Sequence, residues 1–397
     1  MKNEKISKIF LIFLQLGLTS FGGPIAHLGY FREIFVERRK WISEKSFGEL
    51  IALCQFLPGP ASSQVGIALG LTRGGILGSL AAWLGFTLPS AIAMIFFAYG
   101  VINFSQDISS GVLHGLKIVA VAVVAQAIWG MSKVLCPDNL RITIAITSAS
   151  LILIFETTVM QFGVIVLGAI LGGFFLKAET KSAKSSLGIQ ISKGFSVLCL
   201  SLFFLFLLGL PFLTKIYTSP YLSIFDSFYR SGSLVFGGGH VVLPLLKTEV
   251  VQTGLVSKEA FMTGYGAAQA VPGPLFTFSA FLGTVMKSSP NGWIGATICL
   301  IAIFLPSFFL VLGVLPFWDS LGKLQSISKG LLGINASVVG LLIAAFYNPL
   351  WTSGILSVND FILAMLTFLL LVFWRVPPFL VVCFSALGGW LIQVIIL

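Results

Sequence analysis

Charged residues are scarce in this sequence. Only 10% of its 397 residues are charged and 57% are hydrophobic, whereas about a quarter of an average soluble domain is charged. Such a chain lacks the polar surface that a water-soluble globule of this size needs. The composition therefore excludes a cytosolic enzyme, a secreted disulfide scaffold and a disordered protein, and it predicts a polytopic membrane protein.

Residues that could hold a metal or cofactor are also few. The sequence has five cysteines and three histidines, and no two cysteines have the spacing of metal ligands or of a redox pair. No P-loop or dinucleotide fingerprint is present, so no cofactor is expected and a primary pump would need a partner. The acidic residues are scattered without a nucleophile and base beside them, which argues against a membrane-embedded enzyme.

The basic residues indicate orientation rather than a nucleic-acid partner. The formal net charge is +10, but the basic residues lie in short loops between apolar runs. Thirteen such runs recur along the chain, several of them long enough to span a bilayer and others short or broken. They cover residues 7–21, 50–72, 76–102, 112–132, 142–157, 160–176, 194–214, 222–236, 260–286, 291–316, 330–348, 361–374 and 376–397.

Four short motifs recur in the same order about 215 residues apart, which indicates a duplicated unit. We expect a first repeat at 1–178 and a second at 215–397, separated by a basic cytoplasmic linker at 179–193 and an extra transmembrane helix at 194–214. The paired motifs are Phe21-Gly22-Gly23 and Phe236-Gly237-Gly238, Pro58-Gly59-Pro60 and Pro272-Gly273-Pro274, Leu88-Pro89-Ser90 and Leu305-Pro306-Ser307, and Ala127-Ile128-Trp129 and Ala345-Phe346-Tyr347.

The order of the apolar runs predicts that the two halves enter the membrane from opposite faces. Seven runs separate the starts of the equivalent runs 7–21 and 222–236, or five if the first two runs of each half are re-entrant, and both counts are odd. With the N-terminus inside and these runs re-entrant, 18 of the 24 basic residues lie inside and five outside, with Lys117 inside a span. The positive-inside rule requires this asymmetry. The sequence thus predicts an all-α fold of two inverted repeats with broken helices.

The glycine and proline motifs break helices at membrane depth, where non-helical backbone is tolerated only around protein or a watery cavity. A helix that restarts after a break presents free N–H groups and a partial positive charge, which suit an anion. A kink that serves only packing is the alternative, but its recurrence beside polar residues favours a site. The expected contributors are Gly22, Gly23, Gln55, Gly59, Ser62, Ser63 and Gln64, and in the second half Gly237, Gly238, Gln269, Gly273, Thr277 and Ser279.

Two basic residues and two histidines extend this predicted site. Arg32 and Lys247 occupy equivalent positions in the two halves, where they could balance the charge of a tetrahedral oxyanion. His27 and His240 each follow a glycine pair and could meet the anion. A purely structural, hydrogen-bonded role is the alternative for both histidines.

Three residues are candidates for proton coupling. His27 could carry a proton beside the first break. Lys117 lies within a predicted span, which is unfavourable without a functional reason, although its side chain could extend to the interface. Glu49 precedes the run 50–72 and could carry a proton or simply lie at the interface.

Two stretches of the first half, residues 21–32 and 54–64, resemble the signature of the chromate transporter family. Residues 236–240 and 268–274 resemble the second-half signature of its long-chain, two-domain members. The resemblance covers essentially the whole chain. It implies a multi-pass protein of the bacterial inner membrane that exports chromate, with sulfate as a structural analogue, and so gives chromate resistance. It also implies that the membrane potential or the proton gradient drives transport.

The functional prediction is a secondary transporter of chromate that holds the anion at broken helix ends. An anion channel, or a transporter of another oxyanion such as sulfate, is the alternative, because either could use the same pore chemistry. The expected partners are the oxyanion and the lipid bilayer, without nucleic acid, and a homodimer is left open.

Overall fold

The computed structural model describes residues 4–104, 110–155, 157–177, 191–236, 239–318 and 325–396. These residues form α-, 3-10 and π-helices, with no β-strand among them. The predicted all-α fold is therefore confirmed for the described part of the chain. Gly237, Gly238 and most of the predicted linker 179–193 lie outside that part.

The first half consists of seven α-helices within its described residues. Its helices are α1 Ile6–Thr19, α2 Gly23–Phe31, α3 Glu44–Phe56, α4 Ala61–Phe104, α5 Ser110–Leu135, α6 Asn139–Ile154 and α7 Thr158–Phe175. A π-helical turn, Arg32–Arg38, follows α2 directly, and α8, Lys193–Ile216, stands between the two halves.

The second half repeats this order of elements about 215 residues later. Ser257 caps α11 as Ser43 caps α3, because each hydroxyl accepts a backbone N–H three residues further on. The elements are α9 Pro220–Ser233, a 3-10 turn Gly239–Val241, α10 Val242–Leu246, a π-helical turn Lys247–Val251, α11 Lys258–Ala268, α12 Phe278–Val285, α13 Gly292–Val314, α14 Gln325–Ala345, α15 Val358–Val372 and α16 Pro378–Ile396.

Helix α4 is a hairpin of two helical arms rather than one straight rod. Its backbone leaves the helical region at Gly74 and Gly75, where Gly75 has a φ of +60°. A methyl group on Gly70 would overlap the backbone of Gly78, although eight residues of straight helix would separate them by about 12 Å. The first arm is thus a short helix that folds back on the second, in agreement with the predicted division between runs 50–72 and 76–102.

The described residues contain fewer candidate spans than the thirteen predicted runs. Six shorter apolar helices accompany five that are long and apolar enough to cross a membrane, and the chain is a multi-pass membrane protein. The run 222–236 is not among them, because it contains Asp226 and Arg230 and forms the 14-residue helix α9. The five long candidates are Ala61–Asn103, Ser110–Leu135, Lys193–Ile216, Gly292–Phe317 and Ser328–Gly354.

The two halves exchange their last helices. Helix α7 of the first half packs on α14 of the second, and α16 of the second half packs on α5 of the first. Small residues line both contacts: Gly168 lies against the backbone of Gly333, and Gly115 lies against that of Ser385. Glycine lets membrane helices approach this closely, so the exchange joins the halves through tight backbone packing.

This packing predicts a position-dependent response to added methyl groups on α7. We expect Gly168→Ala to lower the free energy of unfolding by about 1–3 kcal/mol, because the new Cβ would lie 2.7 Å from the Gly333 carbonyl oxygen. Gly173 on the same helix has open space at its Cβ, so Gly173→Ala is the matched control. Thermal unfolding of the purified variants in detergent measures the difference, and equal melting temperatures would contradict the close approach.

Candidate functional site

The two Pro-Gly-Pro breaks are joined to the opposite halves by backbone hydrogen bonds. The Gly59 N–H donates to the carbonyl oxygen of Val235 at 2.6 Å, and the Gly273 N–H donates to that of Ser20 at 2.9 Å. Val235 and Ser20 follow the equivalent helices α9 and α1. Each break therefore contacts the other half through matching residues, as two copies related by a twofold axis do.

Each break also touches the Leu-Pro-Ser motif of the opposite half. A Cβ on Gly59 would lie 2.8 Å from the Ser307 Oγ, and one on Gly273 would lie 2.8 Å from the Ser90 Oγ. Both glycines have a positive φ, +122° and +97° respectively, which residues with a side chain rarely adopt. Glycine is thus required at both positions by conformation and by space. We call Pro58–Pro60, Pro272–Pro274, Ser90 and Ser307, with Ser20 and Val235, the junction.

The junction changes the role that the sequence predicts for two glycines. Gly59 and Gly273 were expected to offer their N–H groups to an anion, but both groups are already donated to carbonyl oxygens of the protein. The difference arises because backbone polar groups without water must be satisfied internally. The N–H groups left for an anion are those of the first turn after each break, which have no carbonyl one turn before them within the helix.

His27 links the first turn of α4 to the junction. Its Nε2–H donates to the Ser20 carbonyl oxygen at 3.2 Å, so in the neutral ring Nδ1 accepts from the Ser62 hydroxyl at 3.3 Å. The Ser20 oxygen thus receives hydrogen bonds from both His27 and Gly273. His27 and Ser62 are buried, and the arrangement gives His27 a positioning role beside the break.

Six buried polar side-chain atoms close to the junction in sequence have no hydrogen-bond partner in the described part of the protein. Buried hydroxyls normally find partners, so each exception calls for an explanation. Five of these atoms are hydroxyls, which can donate to an oxyanion and are suited to line an anion site, whereas the sixth is an amide oxygen, which only accepts. They are the hydroxyls of Ser20, Ser63, Thr87, Ser279 and Ser307, and the Oε1 of Gln64.

Other predicted residues lie at the breaks but have protein partners. The Gln64 Nε2 donates to the Pro58 carbonyl oxygen, and the Thr277 hydroxyl donates to that of Pro274. Each of these hydrogen bonds connects a break to the helical turn that follows it. Gly22 and Gly23 form the other first-half break, with φ of +101° and +77°.

Gln55, Gln269 and His240, which lie on or near α3 and α11, are not fully buried. Gln55 is exposed near the end of α3, whereas Gln269 is half-buried after α11 and donates to the Tyr265 carbonyl oxygen. The His240 Nδ1 lies 2.8 Å from the Tyr265 hydroxyl. His240 is thus bonded to α11.

The equivalent basic residues Arg32 and Lys247 both begin π-helical turns. Arg32 is exposed and forms ion pairs with Glu37 and Glu44, at 2.5 Å and 2.8 Å. Lys247 is half-buried, and its Nζ donates to the Asn348 carbonyl oxygen at 3.1 Å. Both basic side chains thus have partners within the protein.

The remaining proton-coupling candidates lie on two different helices. Glu49 is half-buried on α3, and Lys117 is half-buried on α5, where its backbone packs against Gly354. Among the described residues, no group of three or more His, Cys, Asp and Glu side chains is placed to hold a metal ion.

The sequence did not lead us to predict two features of the structure. The serines of the Leu-Pro-Ser motifs were recognised as part of the repeat but not as neighbours of the breaks. Asp226 and Arg230 form an ion pair inside a run that hydropathy had marked as apolar, and Arg230 also pairs with Glu249. The four-residue spacing of an acid and a base on one helix was the available signal.

Comparison with known proteins identifies relatives along the whole chain. The family model of the chromate transporter matches twice, at residues 7–174 and 222–390. An uncharacterized transporter of Methanocaldococcus jannaschii is 32% identical, over 98% of this chain and 95% of the relative. The chromate transport protein of Cupriavidus metallidurans is 26% identical, over 97% and 92%, and a probable chromate transport protein of Synechococcus elongatus is 29% identical, over 84% and 81%. No solved structure matches the chain significantly.

The junction predicts that Gly59→Ala and Gly273→Ala are equally harmful. Each forces a side chain into a positive-φ position and against a serine of the other half, so we expect each to lower the free energy of unfolding by about 1–3 kcal/mol. Gly29, on α2 with open space around its Cβ, supplies the control Gly29→Ala. If either junction variant melted like the control in detergent, the reciprocal contact would be refuted.

Proposed function

The chain belongs to the chromate transporter family, and from this membership we propose that it is a secondary transporter that exports chromate across the bacterial inner membrane. Sulfate, which has the same tetrahedral shape and charge, is the expected analogue. Membership supports a role in chromate transport, and it favours a transporter over an enzyme because the named relatives are transporters. Export would make the protein a determinant of chromate resistance.

The observation that carries the proposed binding site is a set of unpartnered hydroxyls, with Ser307 beside Gly59 and with Ser63 and Ser279 shortly after the two breaks in sequence. The protein holds Ser63, Ser279 and Ser307 buried without using their hydroxyl groups. A doubly charged oxyanion that has left its water needs such donors on several sides. The first turns after the two breaks add free backbone N–H groups and the positive ends of their helices.

Each half would contribute a donor from the helix that follows its break, and the second half would add one from its Leu-Pro-Ser motif. The short arm of α4 brings Ser63, and the second half brings Ser279 and Ser307. Because Ser307 touches the first break, the proposed anion position lies between the halves. His27 would orient Ser62 rather than bind the anion directly.

The proposed transport cycle rests on a duplicated architecture. We take 1–178 and 215–397 as the two repeats, with 179–193 and 194–214 between them, and we take the repeats to be inverted in the membrane. The reciprocal contacts of the junction support a twofold relation between them. Rocking of one repeat against the other would then expose the same site to each face in turn.

The two equivalent basic residues have a steering role in this proposal. Arg32 and Lys247 begin equivalent turns in the two halves, so inversion would place one near each face of the membrane. There they would attract the anion toward the entrance and exit without touching it at the junction. Glu49 and Lys117 stay as candidates for proton coupling on their position alone.

The direct functional test is anion flux in proteoliposomes with imposed potential and pH gradients. The proposal expects chromate and sulfate to accumulate against their gradients, and everted membrane vesicles to accumulate chromate. A channel would only dissipate a gradient. The absence of both chromate and sulfate flux in the wild-type protein would overturn the proposed function.

The unpartnered hydroxyls predict that stability and transport respond separately. Ser307→Ala and Ser63→Ala remove no hydrogen bond made within the described protein, so we expect their melting temperatures to match the wild type. A hydrogen bond to a charged group contributes about 1.5–3 kcal/mol, so the affinity for chromate should fall about tenfold to a hundredfold.

Ser150 provides the control for these variants. It is exposed on α6, and its hydroxyl donates to the Ile146 carbonyl oxygen, so Ser150→Ala should leave both quantities unchanged. Normal chromate affinity in a Ser63/Ser307 double alanine variant would remove the junction from the anion path.

A further inference from the structure

A buried ionic triad joins two elements that flank the glycine-rich break of the second half. The Arg230 guanidinium contacts Asp226 at 3.0 Å on the same helix, α9, and Glu249 at 3.1 Å in the π-helical turn. The two carboxylate side chains are 5% and 9% exposed, while that of Arg230 is 19% exposed. The triad is therefore mostly buried, and the Arg230 side chain keeps some exposure to solvent.

The first half has no charged residue at the equivalent positions. These positions, 215 residues earlier, hold Leu11, Gln15 and Ile34. Leu11 and Gln15 are exposed, and Ile34 packs against an apolar cluster. Because buried ion pairs can often be replaced by apolar residues without loss of stability, architecture alone does not explain the triad.

The charges of the triad do not balance. Two carboxylates share one guanidinium, which leaves a net charge of −1 when both acids are ionised. Asp226 accepts two hydrogen bonds from the Arg230 Nε, and Glu249 accepts one from its Nη2. A proton on one of the two carboxylates would neutralise this buried excess charge.

We propose that the Asp226–Arg230–Glu249 triad is a proton-binding site that couples proton movement to anion transport. This inference rests on the proposed transport function. One proton from the aqueous phase would bind to a carboxylate oxygen and convert it to a neutral carboxyl group, while Arg230 stays charged and pairs with the other carboxylate. The net charge of the triad would change from −1 to zero, and no other bond would form or break.

Ionisable groups on the elements around the triad have contacts elsewhere. Lys247 donates to the Asn348 carbonyl oxygen, and Tyr229 donates to that of Phe203. The Tyr265 hydroxyl lies by His240, and Lys258 donates to Thr352. The other such groups on α8, α9, α11 and α13 are Lys193, Cys199, Lys215, Tyr221, Glu259 and Cys299.

The position of the triad suits a coupling role. It connects α9, before the glycine-rich break, with the π-helical turn after it, and α9 leads directly to Val235 of the junction. A change of charge that loosens or tightens Arg230 against Glu249 would therefore act on the two arms of this break. The uncharged residues at the equivalent positions of the first half cannot bind protons in this way, so this coupling site would reside in one repeat.

The first experiment measures proton binding without any transported anion. Asp226→Leu/Arg230→Gln/Glu249→Ile copies the first half and should fold, as judged by its elution and melting in detergent. A difference titration between wild type and this variant should reveal one carboxyl group that releases its proton above the ordinary range of carboxyl groups. Release of both protons in the ordinary range would overturn the proposal.

The second experiment separates coupling from anion exchange in proteoliposomes. Asp226→Asn and Glu249→Gln, as well as the triple variant, should exchange sulfate at equilibrium within about twofold of wild type, yet lose accumulation driven by a pH gradient. Glu33→Gln, which removes a carboxylate from the exposed pair with Arg38, is the matched control and should keep both activities. Retained pH-driven accumulation in the triad variants, or loss of exchange together with it, would overturn the proposal.

The two experiments distinguish a failure of the triad proposal from a failure of the proposed transport function. A wild-type protein that moves neither chromate nor sulfate contradicts the transporter proposal. The titration uses no substrate, so it still tests proton binding by the triad in that case.

Discussion

Backbone groups within a membrane must find hydrogen-bond partners inside the protein, and this demand organises the centre of the molecule. A Pro-Gly-Pro break has a single backbone donor, the glycine N–H, because proline has none. At both breaks that donor reaches a carbonyl oxygen of the opposite half, from Gly59 to Val235 and from Gly273 to Ser20. Each break therefore depends on the other half, as do the exchanged helices α7 and α16.

The same backbone arrangement carries different side chains in the two halves. The first turn of α4 presents Ser62 and Gln64, one bonded to His27 and the other to Pro58. Around α9 the contrast is between Asp226 with its ionic partners and the apolar Leu11 at the equivalent position of the first half. Backbone hydrogen bonds preserve the scaffold whatever side chains it carries, so each repeat can hold separate chemistry.

Residue types alone predicted the two breaks and the candidate donors at the centre of the molecule, but not the hydrogen bonds and ion pairs that these residues form. The recurrence of Gly59 and Gly273 identified the two breaks, and the hydroxyls after them identified candidate donors. Arg32 was expected near the first break, yet it pairs with Glu37 and Glu44 on the exposed side of its turn. Which charged partner an arginine meets depends on the packing of neighbouring segments, and no local spacing encodes it.

The sequence by itself determined the properties that act locally. Hydropathy determined the membrane class, proline and glycine determined where helices break, and the recurrence of the motifs predicted a duplication. Only the tertiary structure decided which groups satisfy one another: that Ser20 receives the Gly273 N–H, that Ser307 lies on Gly59, and that Glu249 joins Arg230. Helix breaks and polarity arise from each residue and its neighbours, whereas these contacts join distant segments that only the packing of the two halves brings together.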